Sequence, residues 1–128
     1  MKKVLFVCIE NSNRSQMAEA FAKMYGNNKI EAYSSGSRPS GIINPKAIAA
    51  MKELGYDLST HRSKSLDEIP QIKYDYVITM GCGDECPFIQ AINRDDWKLQ
   101  DPKHLESIEF NKVRDEIGER VKALLETF

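Results

Sequence analysis

Long apolar runs are missing from this sequence, as are an even number of cysteines and a large excess of charge of either sign. No stretch approaches the roughly 20 apolar residues that a membrane span needs, so no membrane partner is expected. The apolar start, from Val4, ends at Ile9 and runs into polar residues with no small-residue cleavage site. A secretory leader is therefore not expected, and a cytoplasmic location is. A formal net charge of −1 leaves no general positive field, so no nucleic-acid partner is expected and any anionic ligand must be held by local groups. Three cysteines, Cys8, Cys82 and Cys86, cannot all pair within the chain, which excludes a fully stapled secreted framework. In a reducing compartment such thiols are either buried fillers or chemistry. Repeats, linkers and low-complexity tracts are also absent, and 128 residues suffice for one core, so a single domain over residues 1–128 is expected.

What is present alternates in type. Lys3 to Ile9 is a continuous apolar run, as in a strand buried on both faces of a parallel sheet. Arg14 to Tyr25 carries Met17, Ala18, Phe21, Ala22 and Tyr25 at helical spacing, and Gly26 is placed to end that helix. Lys29 to Ser35 alternates polar and apolar residues as a second strand. Asn44 caps a helix with Pro45 at its first position, running to Gly55. Tyr74 to Met80 is a third strand, Trp97 to Leu99 is expected as a short fourth, and a last helix spans about Leu105 to Leu125. Alternating strands and helices predict a three-layer α/β fold, a four-stranded parallel sheet flanked by helices.

The first loop carries the chemistry. Cys8-Ile9-Glu10-Asn11-Ser12-Asn13-Arg14-Ser15 lies between a strand's carboxyl end and a helix N-terminus, where α/β sheets bind ligands. Unpaired backbone N–H groups and the positive helix end converge there on an anion, and the same field favours thiolate over thiol. Arg14 adds a planar fork that matches two oxygens of a phosphate-like group. Asn11, Ser12 and Ser15 can bond the loop backbone or the sulfur. A cysteine alone reads more simply as core filling; the Cys-x5-Arg-Ser spacing at this junction favours a nucleophile. Glu10 is discordant, since a carboxylate repels an anion, and its side chain is expected to point outward with its N–H inward.

This run resembles the phosphate-binding loop of the low-molecular-weight protein tyrosine phosphatases and the arsenate reductases that share their fold. The resemblance extends through Gln16-Met17-Ala18-Glu19-Ala20, Tyr33-Ser34-Ser35-Gly36, Asn44-Pro45-Lys46-Ala47, His61-Arg62-Ser63-Lys64-Ser65 and Asp101-Pro102. It implies that the oxyanion lies on residues Ile9 to Ser15, that Arg14 binds it, and that Asp101 protonates the leaving oxygen. Taken alone, Asp101-Pro102 reads as a turn. Family loops usually carry Gly where Glu10 stands, and often a second Cys where Asn13 stands.

Gly81-Cys82-Gly83-Asp84-Glu85-Cys86-Pro87 follows the third strand at the sheet edge that also carries Cys8. A spacing of i, i+4 on a helical turn puts Cβ atoms about 5–6 Å apart. A disulfide needs about 3.8 Å, so the segment would have to tighten or unwind. Structural thiols, a metal site and a redox relay are the competing readings, and the relay is favoured. Cys82 and Cys86 offer a metal only two ligands, and His61 and His104 have no assigned place beside them, so no metal or bound cofactor is expected.

Thioredoxin-coupled arsenate reductases carry two cysteines after the third strand, and the resemblance implies their route here. Cys8 attacks arsenic and water leaves with a proton from Asp101. Cys82 attacks the Cys8 sulfur and arsenite departs. Cys86 then attacks Cys82, leaving a disulfide for thioredoxin, or a glutaredoxin-type reductant, to reduce. The segment from Gly81 to Asn93 is expected to move between redox states. The alternative is a phosphatase of the same fold, using Cys8, Arg14 and Asp101 on a phosphoester. A monomer is the expected state. Some relatives hold a potassium ion with residues matching Asn11 and Glu19, and Lys64 is expected to replace that cation with its ammonium. His61 and His104 read as structural or surface residues, and Trp97 as part of the core.

Overall fold

The computed structural model describes residues 1–26, 28–81 and 89–128. Its elements run β1 (Lys2–Cys8), α1 (Arg14–Tyr25), β2 (Ile30–Gly36), α2 (Pro45–Lys52), β3 (Tyr74–Thr79), β4 (Ala91–Asp96) and α3 (Ser107–Leu125). The sheet is four-stranded in the order β2-β1-β3-β4, and every pairing is parallel, as expected. β1 is a central strand, which is why Val4 to Cys8 is an unbroken apolar run with both faces buried. Cys8 pairs with Gly36, and Val7 with Thr79, so the carboxyl ends of the strands come together at one edge.

Alternation along β1 divides the core. Val4, Phe6 and Cys8 face a cluster built with Met17 and Phe21 of α1, Ala47 and Met51 of α2, and Phe110, Ile117 and Val121 of α3. Leu5 and Val7 face the other way, onto Ile69, Tyr74 and Val77. Among the described residues this second face is covered by loop and a 3-10 turn at Leu66–Glu68, without an α-helix. Arg114, buried on α3, donates from Nη1 to Ala50 O at 3.0 Å and ties that helix to α2.

Two expectations need correction. The fourth strand is Ala91–Asp96, and Trp97 to Leu99 follow its end. β4 is an edge strand that exposes Asn93, Arg94, Asp95 and Asp96, so it has no apolar pattern to read, whereas Trp97 and Leu99 are apolar because they tuck under the sheet edge. Ala91 to Asn93, expected to belong to the moving segment, are part of this strand. Gly26 ends α1 as expected, as its C-cap, with φ −76°. Glycine is required there because a Cβ would stand 2.4 Å from Ala22 O and 2.8 Å from Ile30 Cγ1. Asn44 caps α2 as expected, accepting from the Lys46 N–H at 2.9 Å.

One glycine joins the fold to the loop after β1. A Cβ on Gly36 would meet Ile9 O at 2.5 Å and Asn11 N at 2.9 Å, both backbone atoms that cannot swing aside. Gly36→Ala is expected to destabilise the protein by about 1–3 kcal/mol, the usual cost of overpacking, seen as a melting temperature lowered by several degrees. An unchanged melting temperature would contradict this contact.

Candidate active site

The loop between β1 and α1 is shaped by where its carbonyl groups go. Cys8 O accepts from the Ser37 N–H at 3.3 Å, Ile9 O from Arg38 at 2.8 Å, Glu10 O from Ser40 at 3.0 Å and Ser12 O from Asn44 at 3.1 Å. Asn11 O accepts from Gln16 Nε2 at 3.1 Å, and Ser63 Oγ donates a second bond to Glu10 O at 3.0 Å. In a trans peptide the N–H of the next residue points opposite to the carbonyl. Anchoring carbonyls 8 to 12 on the outside therefore turns the N–H groups of Ile9, Glu10, Asn11, Ser12 and Asn13 toward the inside. Asn11 adopts φ +52° to complete this curve, a conformation that asparagine tolerates better than most residues.

Inside lies a cavity of about 130 Å³, lined by Cys8, Ile9, Glu10, Ser12, Asn13, Arg14, Arg38 and Asp101. Drug-sized ligands need roughly 300–1,000 Å³, so this space suits a small inorganic oxyanion or the head of a phosphoester. Cys8 is buried at its floor. Arg14 is buried as well, and its Nη1 donates to Met80 O at 2.6 Å and Leu99 O at 3.2 Å. These bonds hold the guanidinium plane while Nη2 lies 3.7 Å from Asp101 Oδ2 at the rim. Gly81 makes the seat possible. Its φ is +83°, and a Cβ there would stand 2.9 Å from Arg14 Nη1 and 3.0 Å from Leu99 O.

Behind the loop a single hydrogen-bond path reaches the sulfur, and its donors can be assigned. Gln16 Nε2 donates to Asn11 Oδ1 at 2.8 Å and to Arg62 O at 2.9 Å, so Gln16 Oε1 is the acceptor for His61 Nδ1 at 2.9 Å. A neutral His61 then accepts on Nε2 from Tyr56 OH at 2.5 Å. At the other end Asn11 Nδ2 donates to Ser15 Oγ at 2.7 Å, and Ser15 Oγ lies 2.9 Å from Cys8 Sγ, where its proton serves the sulfur once that is a thiolate. Lys64 N also donates to Asn11 Oδ1, at 2.8 Å.

Glu19 is buried beside this path, bonded to Lys23 Nζ at 2.7 Å and to Ser34 Oγ at 2.5 Å. Burial raises its pKa, but Lys23, Ser34, His61 and Lys64 together outweigh burial and hold the carboxyl below its ordinary value. The Lys64 ammonium stands 3.8 Å from Glu19 Oε1 and 3.5 Å from Ser34 Oγ. Burial lowers Lys64, and Glu19 only partly offsets this. His61 is lowered too, by burial first, against the opposing pull of Glu19.

Cys8, Arg14 and Asp101 thus surround one cavity, which Ile9, Glu10, Ser12 and Asn13 also line; Asn11 and Ser15, expected to bind the oxyanion, are buried and do not line it. Cys82 and Cys86 lie outside the described residues. Glu10 directs its carboxylate to Lys103 at the cavity mouth, 2.9 Å away. His61, read from sequence as a bland structural residue, is instead bonded on both ring nitrogens. Ser63 and the segment 37–44 were also missed, and no local pattern marks residues whose N–H groups serve a loop elsewhere in the chain. Trp97 packs on Phe6 with ring centroids 5.9 Å apart, and His104 is exposed. Among the described residues no helix is long and apolar enough to cross a membrane, and no three His, Cys, Asp or Glu side chains gather as a metal site would require.

The buried path has a pH signature. His61 binds its proton more weakly folded than unfolded, so the unfolded chain takes up more protons as pH falls below about 6.5, and stability declines. Glu19 acts in the same direction at lower pH, below about 4.5. Urea unfolding should show lower stability at pH 5.5 than at pH 7.5, with a smaller difference in His61→Gln. Equal pH dependence in the two proteins would contradict the assignment.

Residues 3–128 match the sequence profile of the family described as low molecular weight phosphotyrosine protein phosphatase. A glutaredoxin arsenate reductase of Synechocystis is 42% identical, with 98% of this chain and 97% of that protein aligned. A solved arsenate reductase in the phosphate binding state superposes with a TM-score of 0.90 at 42% identity, over 99% of this chain and 98% of that one. A thioredoxin-dependent arsenate reductase of Corynebacterium glutamicum superposes with a TM-score of 0.81 at 32% identity, over 99% of this chain and 61% of that one. With nearly its whole length matched at this level, the chain belongs to the low-molecular-weight phosphotyrosine protein phosphatase family, on the branch that holds these arsenate reductases.

Proposed function

We propose that this protein reduces arsenate to arsenite through a relay of Cys8, Cys82 and Cys86, regenerated by thioredoxin or a glutaredoxin-type protein. The observation that carries the reading is the small cavity lined by buried Cys8, with the Arg14 guanidinium held at its side and Asp101 at its rim. Its relatives' names supply the oxyanion: they are arsenate reductases, of which one is named for glutaredoxin and one for thioredoxin.

The N–H groups of residues 9–13 and the Arg14 fork take the arsenate oxygens, and Cys8 attacks arsenic to form a sulfur–arsenic bond. Asp101 gives a proton to the departing oxygen, which leaves as water. Ser15 can donate to the sulfur while it is a thiolate, with Asn11 holding the hydroxyl in register. Cys82 then attacks the Cys8 sulfur. The sulfur–arsenic bond breaks with its electron pair going to arsenic, so As(V) becomes As(III) and a Cys8–Cys82 disulfide forms. Cys86 displaces Cys8 from Cys82, and the external dithiol reduces Cys82–Cys86. All the electrons come from thiols, and no bound cofactor takes part. Gly81, the residue before Cys82, is packed close to the Arg14 guanidinium.

Cys8, Arg14 and Asp101 would equally serve phosphoester hydrolysis, the alternative reading of the same cavity. Following NADPH consumption with arsenate and thioredoxin plus its reductase, and separately with a glutaredoxin system, tests the relay. Cys8→Ser, Cys82→Ser and Cys86→Ser are each expected to abolish turnover, and Asp101→Asn to lower it by about 10²–10⁴-fold. Arsenate turnover that survives Cys82→Ser would refute the relay.

A further inference from the structure

Glu10 is a carboxylate on a loop built to hold an anion, and its repulsion of that anion needs an explanation. Its partner is Lys103, whose Nζ lies 2.9 Å from Glu10 Oε2 and 3.3 Å from Oε1. Lys103 is two residues beyond Asp101, and its backbone N–H donates to Asp101 Oδ1 at 3.1 Å. The same Asp101 carboxyl faces Arg14 through Oδ2. Glu10, Lys103, Asp101 and Arg14 therefore form a chain of contacts at the cavity mouth, Glu10 to the Lys103 ammonium, the Lys103 backbone N–H to Asp101, and Asp101 to Arg14.

Asp101 sits in a stretch without regular secondary structure, and its own side chain is 50% exposed. The turn is held by buried Pro102 and by the Leu105 N–H bond to Pro102 O. The Lys103–Glu10 pair spans the mouth from this turn to the loop after β1, beside the longer Arg14–Asp101 pair. The Lys103 ammonium is favoured first by its bond to Glu10 and then by Asp101, so it neutralises one carboxylate while steadying the other.

We propose that Glu10 and Lys103 are a positioning pair that holds the Asp101 turn over Cys8, setting the carboxyl where it can protonate the oxygen leaving arsenic. The proposal rests on the arsenate reading above, in which Asp101 is the acid. Because both members are partly exposed, the pair adds little to global stability. Its effect falls on catalysis, where small displacements of an acid are felt.

The test is a single turnover: fully reduced protein mixed with saturating arsenate without external reductant, reading arsenite formed. Glu10→Gln and Lys103→Gln should each slow this step about threefold, the double variant should be no slower than either alone, and Lys103→Arg should keep the wild-type rate. Half-saturation should move in opposite directions. Glu10→Gln removes a repulsive charge and should bind arsenate more tightly, whereas Lys103→Gln leaves Glu10 uncompensated and should bind it more weakly. Melting temperatures should stay within about 2 °C of wild type, which separates positioning from a folding defect. Rates for both Gln variants equal to wild type, or losses that simply add in the double variant, would overturn the pair. If the wild type forms no arsenite, the arsenate reading fails separately. The pair is then judged by the same threefold loss on p-nitrophenyl phosphate hydrolysis, and inactivity on both substrates overturns it.

Discussion

The outward anchoring of five consecutive carbonyl groups is the constraint on which the rest of this structure depends. Residues 8 to 12 would otherwise present a mixture of donors and acceptors to the cavity. Bonds from Ser37, Arg38, Ser40 and Asn44, and from the side chains of Gln16 and Ser63, take every one of those carbonyls. What remains for the interior is a set of N–H groups, a surface that accepts only an anion. The arrangement also dictates Gly36, because strand β2 must approach the loop closely enough to deliver Ser37 and Arg38.

Charge is then distributed so that a chain of net charge −1 can hold a multiply charged anion. Arg14 is buried but not left unpaired, since two carbonyls from the ends of β3 and β4 take its Nη1 protons. A guanidinium fixed in this way loses little entropy when an oxyanion arrives. Glu10 is turned aside onto Lys103, and Glu19, the one buried carboxylate near the loop, is surrounded by Lys23, Lys64, His61 and Ser34. The cationic field around the site is thus local, and opposed charges behind the loop keep it from spreading.

The nucleophile loop was legible because everything that defines it is local: an apolar run, a short polar stretch and a helical period within about 25 residues. Asn44-Pro45 was legible for the same reason, a cap whose partner is two residues away. Strand β4 was not, because its side chains face solvent and its partner β3 supplies only backbone bonds, which leave no side-chain pattern. His61 was misread since its meaning comes from Gln16, 45 positions earlier, and from the way Gln16 is oriented by Asn11 and Arg62.

By itself the sequence determined the alternation of strands and helices, the parallel sheet that follows from it, and the placing of Cys8 and Arg14 on one strand-to-helix loop. These are properties of neighbours along the chain, set by side-chain period and by the unpaired donors of a helix start. Tertiary structure decided which way that loop faces, what holds Arg14, what Glu10 is for, and that a histidine is wired to the sulfur. Each of these depends on groups 29 to 93 residues apart meeting within about 3 Å, and such contacts are specified only once the sheet order has folded the chain back on itself.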